Sequence, residues 1–222
     1  MLTKEQIQAN KDRFIELINS ITLEGCNKEG LLNWLGKSDF FEAPASVKYH
    51  CNYPGGLCEH SLNVYDNLNK LVIQFASHFK YEESADGKEG SETLVPHYTQ
   101  DSIKIVALLH DISKTNFYEQ YEKNVKNDEG VWIKVKEYKT READNRFVYG
   151  SHEQNSEFIA HTFFPLSVEE SVAILHHHGG MSWDSAQDAI GEVYAKFPLA
   201  VLLHLADMSA TFINETRNES AH

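Results

Sequence analysis

The spacing of apolar residues predicts a mostly helical chain. Ile7, Phe14, Leu17, Ile18 and Ile21 recur at helical intervals behind Thr3-x-x-Gln6, a capping box, and predict an amphipathic first helix. Leu31, Leu32, Trp34 and Leu35 mark a short second helix ended by Ser38-Asp39. The segment FFEAPASVKYHCNYPGG is a loop punctuated by Pro44, Pro54, Gly55 and Gly56. From Leu57 to Phe79 a single stripe carries Leu57, Val64, Leu68, Leu71, Phe75 and Phe79, with His60 one turn in from its start. Residues 82 to 93 read as a polar surface loop. From about Thr99 to Ser113, Ile103, Ile105, Val106, Ala107, Leu108 and Leu109 are apolar all round, which predicts a helix packed on several sides.

The period then changes. Val131, Ile133 and Val135 alternate with Trp132, Lys134 and Lys136 after the turn-like Asn127-Asp128-Glu129-Gly130, so residues 117 to 149 read as a β-hairpin inserted between helices. Helical spacing resumes behind two more capping boxes. Ser151-x-x-Gln154 opens a helix through Phe163, and Ser167-x-x-Glu170 opens one that ends in His176-His177-His178 before Gly179-Gly180. The last helix begins near Pro198 and carries Leu199, Val201, Leu202, Leu203, Leu205, Met208 and Phe212, with His204 and Asp207 on one face. The expected fold is all-α with a small inserted hairpin, in one domain over residues 1 to 222, the helices of residues 1 to 50 packed on it.

Composition narrows the function. The formal charge is −13 and only Arg13, Arg141, Arg146 and Arg217 are arginines, so a long polyphosphate backbone is a poor partner. Cys26, Cys51 and Cys58 are odd in number and read as reduced thiols. A Cys51/Cys58/His zinc knuckle lacks a second close cysteine pair. With no apolar run of signal-peptide type in MLTKEQIQAN and none of membrane length elsewhere, the expected compartment is the cytoplasm, with no membrane partner.

Histidine is the outlier, at 12 residues. The apolar run IVALLHDISKT stops on His110-Asp111, and a buried imidazole and carboxylate both need partners. A hydrogen-bonded core pair would satisfy them, and so would a metal ion. His60, His152, His177 and Asp207 lie on other segments that read as helices facing the core. Four imidazoles and two carboxylates suit a pair of divalent cations sharing one carboxylate; without thiolate the set favours Fe, Mn, Zn, Ni or Mg. Two such cations can activate a water and clamp phosphate oxygens.

The motifs YPGGLCEHS, LLHDISK, GSHEQNS, AILHHHGG and VLLHLADMSATFI, in the order H…HD…H…H…D, resemble the HD-domain superfamily of metal-dependent phosphohydrolases, and most of all its bacterial and phage members with a YPGG-type loop. The resemblance covers most of the chain from residue 50 onward. It implies an HD-type helical bundle in which His60, His110, Asp111 and Asp207 hold one metal, while Asp111 bridges to a second held by His152 and one histidine of the triplet. His177 is taken for that place because related segments carry a single histidine two residues before the glycine. Lys114 matches the lysine after HD-x-x and is expected, with Asp111, to act in catalysis; Ser113 stands where glycine is common and is expected to crowd the pocket.

The implied activity is hydrolysis of a phosphoester of a nucleotide or other small phosphorylated substrate by a metal-bound hydroxide. Rival readings are a di-iron oxygenase with the same ligands and a non-catalytic ligand-sensing module. The family also contains a 3′–5′ exoribonuclease, a reading weakened here by the lack of an RNA-binding domain. His204 is expected to pack beside the site, and His50, His78, His97, His161 and His222 to be surface or core residues. Tyr53, Tyr118, Arg146 and Arg217 are candidate substrate contacts.

Overall fold

The computed structural model describes residues 1–76, 98–181 and 190–215. Phe79, His78, His97, His222, Arg217 and the loop 82 to 93 lie outside the described residues. The described residues are mostly helical, with a two-stranded antiparallel sheet among them. The elements are α1 (Lys4–Asn19), α2 (Lys28–Gly36), α3 (Gly56–Phe75), α4 (Gln100–Leu109), β1 (Tyr118–Lys126), β2 (Trp132–Thr140), α5 (His152–Phe163), α6 (Val168–Leu175), α7 (Ile190–Lys196) and α8 (Pro198–Ser209).

Local chemistry sets most of these ends. All three expected capping boxes form, at Thr3 with Gln6, Ser151 with Gln154 and Ser167 with Glu170, each satisfying amide groups that the first helical turn leaves without partners. At the start of α3, Gly55 adopts φ 83°, in the left-handed region, and a Cβ on Gly56 would stand 2.1 Å from the Cys51 carbonyl oxygen. Only glycine fits that approach, so the YPGG stretch fixes where α3 begins and therefore where His60 points.

Helix α3 packs on α4 and α8, α6 packs on α8 and α5, and α1 covers α3. Their shared core contains Phe14, Leu57, Leu68, Ile105, Leu108 and Leu203, each shielded from solvent. Helix α4 is buried from Ile103 to Leu109, as an all-round apolar segment must be.

Four boundaries differ from the sequence reading. Helix α4 ends at Leu109, not Ser113: Asp111 leaves helical geometry, and Lys114 and Thr115 donate to the carbonyls of Asp111 and Ile112 in a tighter turn over Ile112–Lys114. The hairpin strands occupy less than residues 117 to 149, because Arg141 turns back to donate to the Phe117 carbonyl and a short turn follows at Ala143–Asn145. Helix α7 has no counterpart in the sequence reading. Helix α8 widens into a π-helical segment, Ala210–Glu215, which carries the chain further along α3 than a regular end would. Among the described residues no single helix is long and apolar enough to cross a membrane.

Candidate metal centre

His60 on α3, His110 and Asp111 at the end of α4, His152 opening α5, His177 just past α6 and Asp207 on α8 meet at one point in the core. His110 and His177 are 0% exposed, and His60 and Asp111 only 1%. The apolar packing of α3, α4, α6 and α8 thus delivers polar side chains to a place largely shielded from solvent, open mainly at His152 and Asp207.

Asp111 sits between two sets of imidazoles. Its Oδ1 lies 2.5 Å from His152 Nε2 and 3.6 Å from His177 Nε2. Its Oδ2 lies 3.5 Å from His60 Nε2 and 3.6 Å from His110 Nε2. Asp207 Oδ1 approaches His60 Nε2 at 3.2 Å. Each carboxylate oxygen of Asp111 therefore addresses a different pair of histidines.

The far side of each ring fixes its tautomer. His110 Nδ1 donates to the Ala107 carbonyl at 2.8 Å, and His177 Nδ1 to the Ile174 carbonyl at 2.6 Å. His60 Nδ1 donates to Glu215 at 3.0 Å. The Ser113 hydroxyl lies 2.7 Å from His152 Nδ1 and 3.1 Å from the His152 carbonyl, holding that ring at its outer edge. Carbonyls and carboxylates only accept, so His60, His110 and His177 each carry a proton on Nδ1, which leaves Nε2 to face the cluster; His152 Nε2, beside the Asp111 carboxylate, donates to it until a cation takes that place. Ser113, which stands where the resemblance led to glycine, seats His152. Glu215, which the sequence reading missed, holds His60 and also accepts from Asn63 at 3.1 Å.

These residues fit a divalent cation. His60 Nε2 and His110 Nε2 lie 3.3 Å apart, and two lone pairs at that distance repel unless a proton or a cation lies between them. His177 Nε2 is buried without a hydrogen-bond partner, an arrangement that leaves a donor atom available at a cost in solvation. Buried His, Asp and Glu groups here can hold a metal ion. The donors are nitrogen and oxygen only. Among the described residues no cysteine joins a candidate metal cluster, so the zinc-knuckle reading finds no support.

Without a cation, protons take over the charge balance. Burial opposes a charge on His60, but Glu215 and Asp207 outweigh it and lift its pKa to about 10. His177 is also raised, because Asp111 outweighs burial. Burial drives His110 down to about 3 against the pull of Asp111. Burial works against ionised Asp111 as well, yet Lys114 and the neighbouring imidazoles hold it well below the usual carboxylate range. Glu215 is held near 2, the His60 charge overcoming burial.

The other expected residues fall into place around this centre. Lys114 Nζ rests on Asp111 Oδ2 at 2.5 Å, so it reaches the cluster through the same oxygen that faces His60 and His110. His178 Nδ1 pairs with Glu153 at 2.7 Å, and its ring lies 4.1 Å from that of His177. It joins the Asp111–His152–His177 group, which keeps it a rival to His177 as a ligand. His204 Nδ1 donates to the His177 carbonyl at 2.6 Å, bracing the histidine from behind. Tyr118 lies beside Lys114, whereas Tyr53 donates to Glu59 at 2.6 Å and is already engaged. Arg146 lies over the Phe117 ring and lines a cavity of about 650 Å³ with Trp34, Thr115, Phe147 and Phe158; none of the six cluster residues lines it. His161 is an exposed partner of Glu157.

No family model, curated protein or solved structure matches this chain.

Proposed function

We propose that the chain is a metal-dependent phosphohydrolase of the HD type, cleaving a phosphoester of a nucleotide or a related small substrate. The observation that carries this reading is the division of Asp111 between two histidine pairs. A carboxylate so placed could be shared by two cations, which His60, His110 and Asp207 on one side and His152 and His177 on the other would hold. Cations bound there supply Lewis acidity toward phosphoryl oxygens and lower the pKa of water.

The chain's own groups do the rest. Glu215, the carbonyls of Ala107 and Ile174, and Ser113 fix the direction of each imidazole, so binding needs little rearrangement. Burial keeps competing water away and strengthens every charge interaction. Lys114 is the ammonium nearest the cluster, only 12% exposed at its side chain, and suits a phosphoryl oxygen that has displaced it from Asp111. The acidic surface directs the choice toward small phosphorylated substrates, since long nucleic acid would be repelled.

The test is metal analysis of anaerobically purified protein, followed by a phosphate-release screen over nucleotides with Mn, Fe, Mg and Ni. Two metals per chain and release without dioxygen are expected. Replacing Lys114 by alanine should lower turnover by about a hundredfold, the scale of one lost charge-stabilising donor, with metal content unchanged. Turnover that strictly needs both iron and dioxygen would replace this reading with an oxygenase, and bound metal without turnover on any phosphoester would favour a sensing module.

A further inference from the structure

Between α2, α5 and the segment that follows the hairpin lies the cavity of about 650 Å³, within the roughly 300–1,000 Å³ usual for small-molecule sites. Four aromatic rings line it. Trp34 of α2 lies beside Phe163 of α5, 6.0 Å between centroids, and Phe147 stacks on Phe158 at 5.7 Å and 21°. Thr115, just past the turn after α4, also lines it. That residue is only 5% exposed, and its hydroxyl has no hydrogen-bond partner. Burying a hydroxyl unpaired is unfavourable, so its presence in a cavity wall points to a ligand that supplies the partner.

The other polar groups of the lining narrow what that ligand is. Asn116 Oδ1 accepts from the Asp39 amide at 3.2 Å, so the donor end of its side chain, Nδ2, is the end left for a ligand. Arg146 is held in the wall, its guanidinium 4.8 Å from the centre of the Phe117 ring and its Nε donating to the Arg141 carbonyl at 3.1 Å. Asp144 lines the cavity too, so the lining carries one cation, one carboxylate and no net charge. A phosphate would meet the carboxylate as well as the arginine, whereas an uncharged ligand is repelled by neither. Flat aromatic walls suit the face of a heteroaromatic base, and a hydroxyl and an amide donor suit its edge. Asp144 and Asn145 are exposed, and they suit the hydroxyls of a sugar at the wet end.

We infer that this cavity binds one uncharged nucleoside, its base against the aromatic walls and hydrogen-bonded to the Thr115 hydroxyl, its sugar toward Asp144 and Asn145. The site is separate from the metal centre and stands whether or not that centre hydrolyses phosphoesters. Thr115 directly follows Lys114, so one short turn presents one residue to the metal cluster and the next to the cavity.

The test titrates the full chain, as purified, with adenosine, guanosine, cytidine and uridine by calorimetry. The tightest binder is then measured again with Thr115→Val, with Phe158→Ala and with excess inorganic phosphate. At least one nucleoside should bind. Valine keeps the shape of Thr115 and removes the unpaired hydroxyl, so thermal stability should stay or rise while affinity falls about three- to tenfold, the scale of one hydrogen bond. Phe158→Ala should lower affinity about tenfold or more, the scale of one base–aromatic stack. Phosphate should not compete. Binding of none of the four at millimolar concentration would overturn the inference, and so would unchanged affinity in either variant. Competition by phosphate would move the ligand to an anion site or to the metal centre and would overturn it as well; the phosphohydrolase reading survives each of these results. If Phe158→Ala does not fold, Phe158→Leu takes its place: it keeps bulk, loses the flat ring, and must lower affinity for the inference to stand.

Discussion

Around Asp111, the helices draw His60, His110, His177 and Asp207 out of water, whereas a short way along the chain Val131, Trp132 and Ile133 stand in it, 54%, 66% and 41% exposed. One region buries polar groups and the other exposes apolar ones. Each inverts the ordinary rule, for different reasons. The polar cluster survives because nearly every group in it has a partner on its far side, and the helices that carry it are held by an apolar core. The hairpin survives because its strands pair with each other across Tyr118–Thr140 to Lys126–Trp132, and its base is tied by the Arg141–Asp39 ion pair at 3.0 Å. Cooperative packing makes the first region sensitive to single atoms; the second should hardly notice them.

The largest effect is expected at Asp111. Asparagine in its place keeps the shape, removes the charge that Lys114 and His152 face at 2.5 Å, and leaves no anionic bridge. Breaking a buried pair from one side costs about 3–5 kcal/mol. Metal content should fall from two per chain to one or none, and the chelated variant should unfold at clearly lower denaturant than chelated wild type. Two retained metals would show that the carboxylate is not shared. Next in size is the contrast between His177→Ala and His178→Ala. The first removes a fully buried ring whose Nε2 has no hydrogen-bond partner, and should abolish one metal; the second removes a hydrogen bond to Glu153 and should spare both. Equal losses would give His178 the ligand role.

How much of this was legible in the sequence depends on whether the signal is local. Capping boxes at Thr3, Ser151 and Ser167 and the period-two run after Gly130 are written in neighbouring residues, and the elements form close to where they predict. The gathering of His60, His110, Asp111, His152, His177 and Asp207 was legible only because their order resembles a known pattern; no periodicity places α3 beside α8. Glu215 had no local signal at all, since it reaches His60 through a π-helical end that lies against α3. Burial of the hairpin's apolar face was not to be read either: Val131, Ile133 and Val135 alternate as in a half-buried strand, but there is no second layer for them to meet among the described residues.

A smaller effect distinguishes the regions by pH. In chelated protein the stability that His60 contributes is fully present below the ordinary histidine pKa of 6.5 and is lost as pH rises toward about 10. His177, also raised, adds to the same limb. His110, held near 3, is neutral in both states above 6.5 and adds nothing there. A bound cation replaces the His60 proton, so the alkaline loss should disappear on loading, and metal affinity should rise with pH over that window. Denaturant midpoints from pH 6 to 9, with and without chelator, check this; parallel curves would mean that the cluster binds no cation through His60.

The smallest effect is expected in the hairpin, from Trp132→Ser. The Trp132 ring is mostly in water, with Lys126 Nζ above it at 5.2 Å, and a cation–π contact at such an exposed site is worth roughly 0.5–1 kcal/mol. The cross-strand pairs Lys134–Glu122, Lys139–Glu119 and Lys123–Glu137 all join exposed side chains, where water and salt screen them, so they contribute little. A lone two-stranded ribbon is marginal by itself, so what holds it is the base, where Asn116 donates to Asp39 at 2.6 Å beside the Arg141 pair. Trp132→Ser should therefore shift global stability by less than about 1 kcal/mol and leave metal content untouched. Asp39→Ala, which cuts the base, should speed amide exchange along both strands while the core amides of α4 stay protected. A drop in metal content on removing Trp132 would show that the hairpin tip reaches back to the cluster, and the contrast between the two regions would then fail.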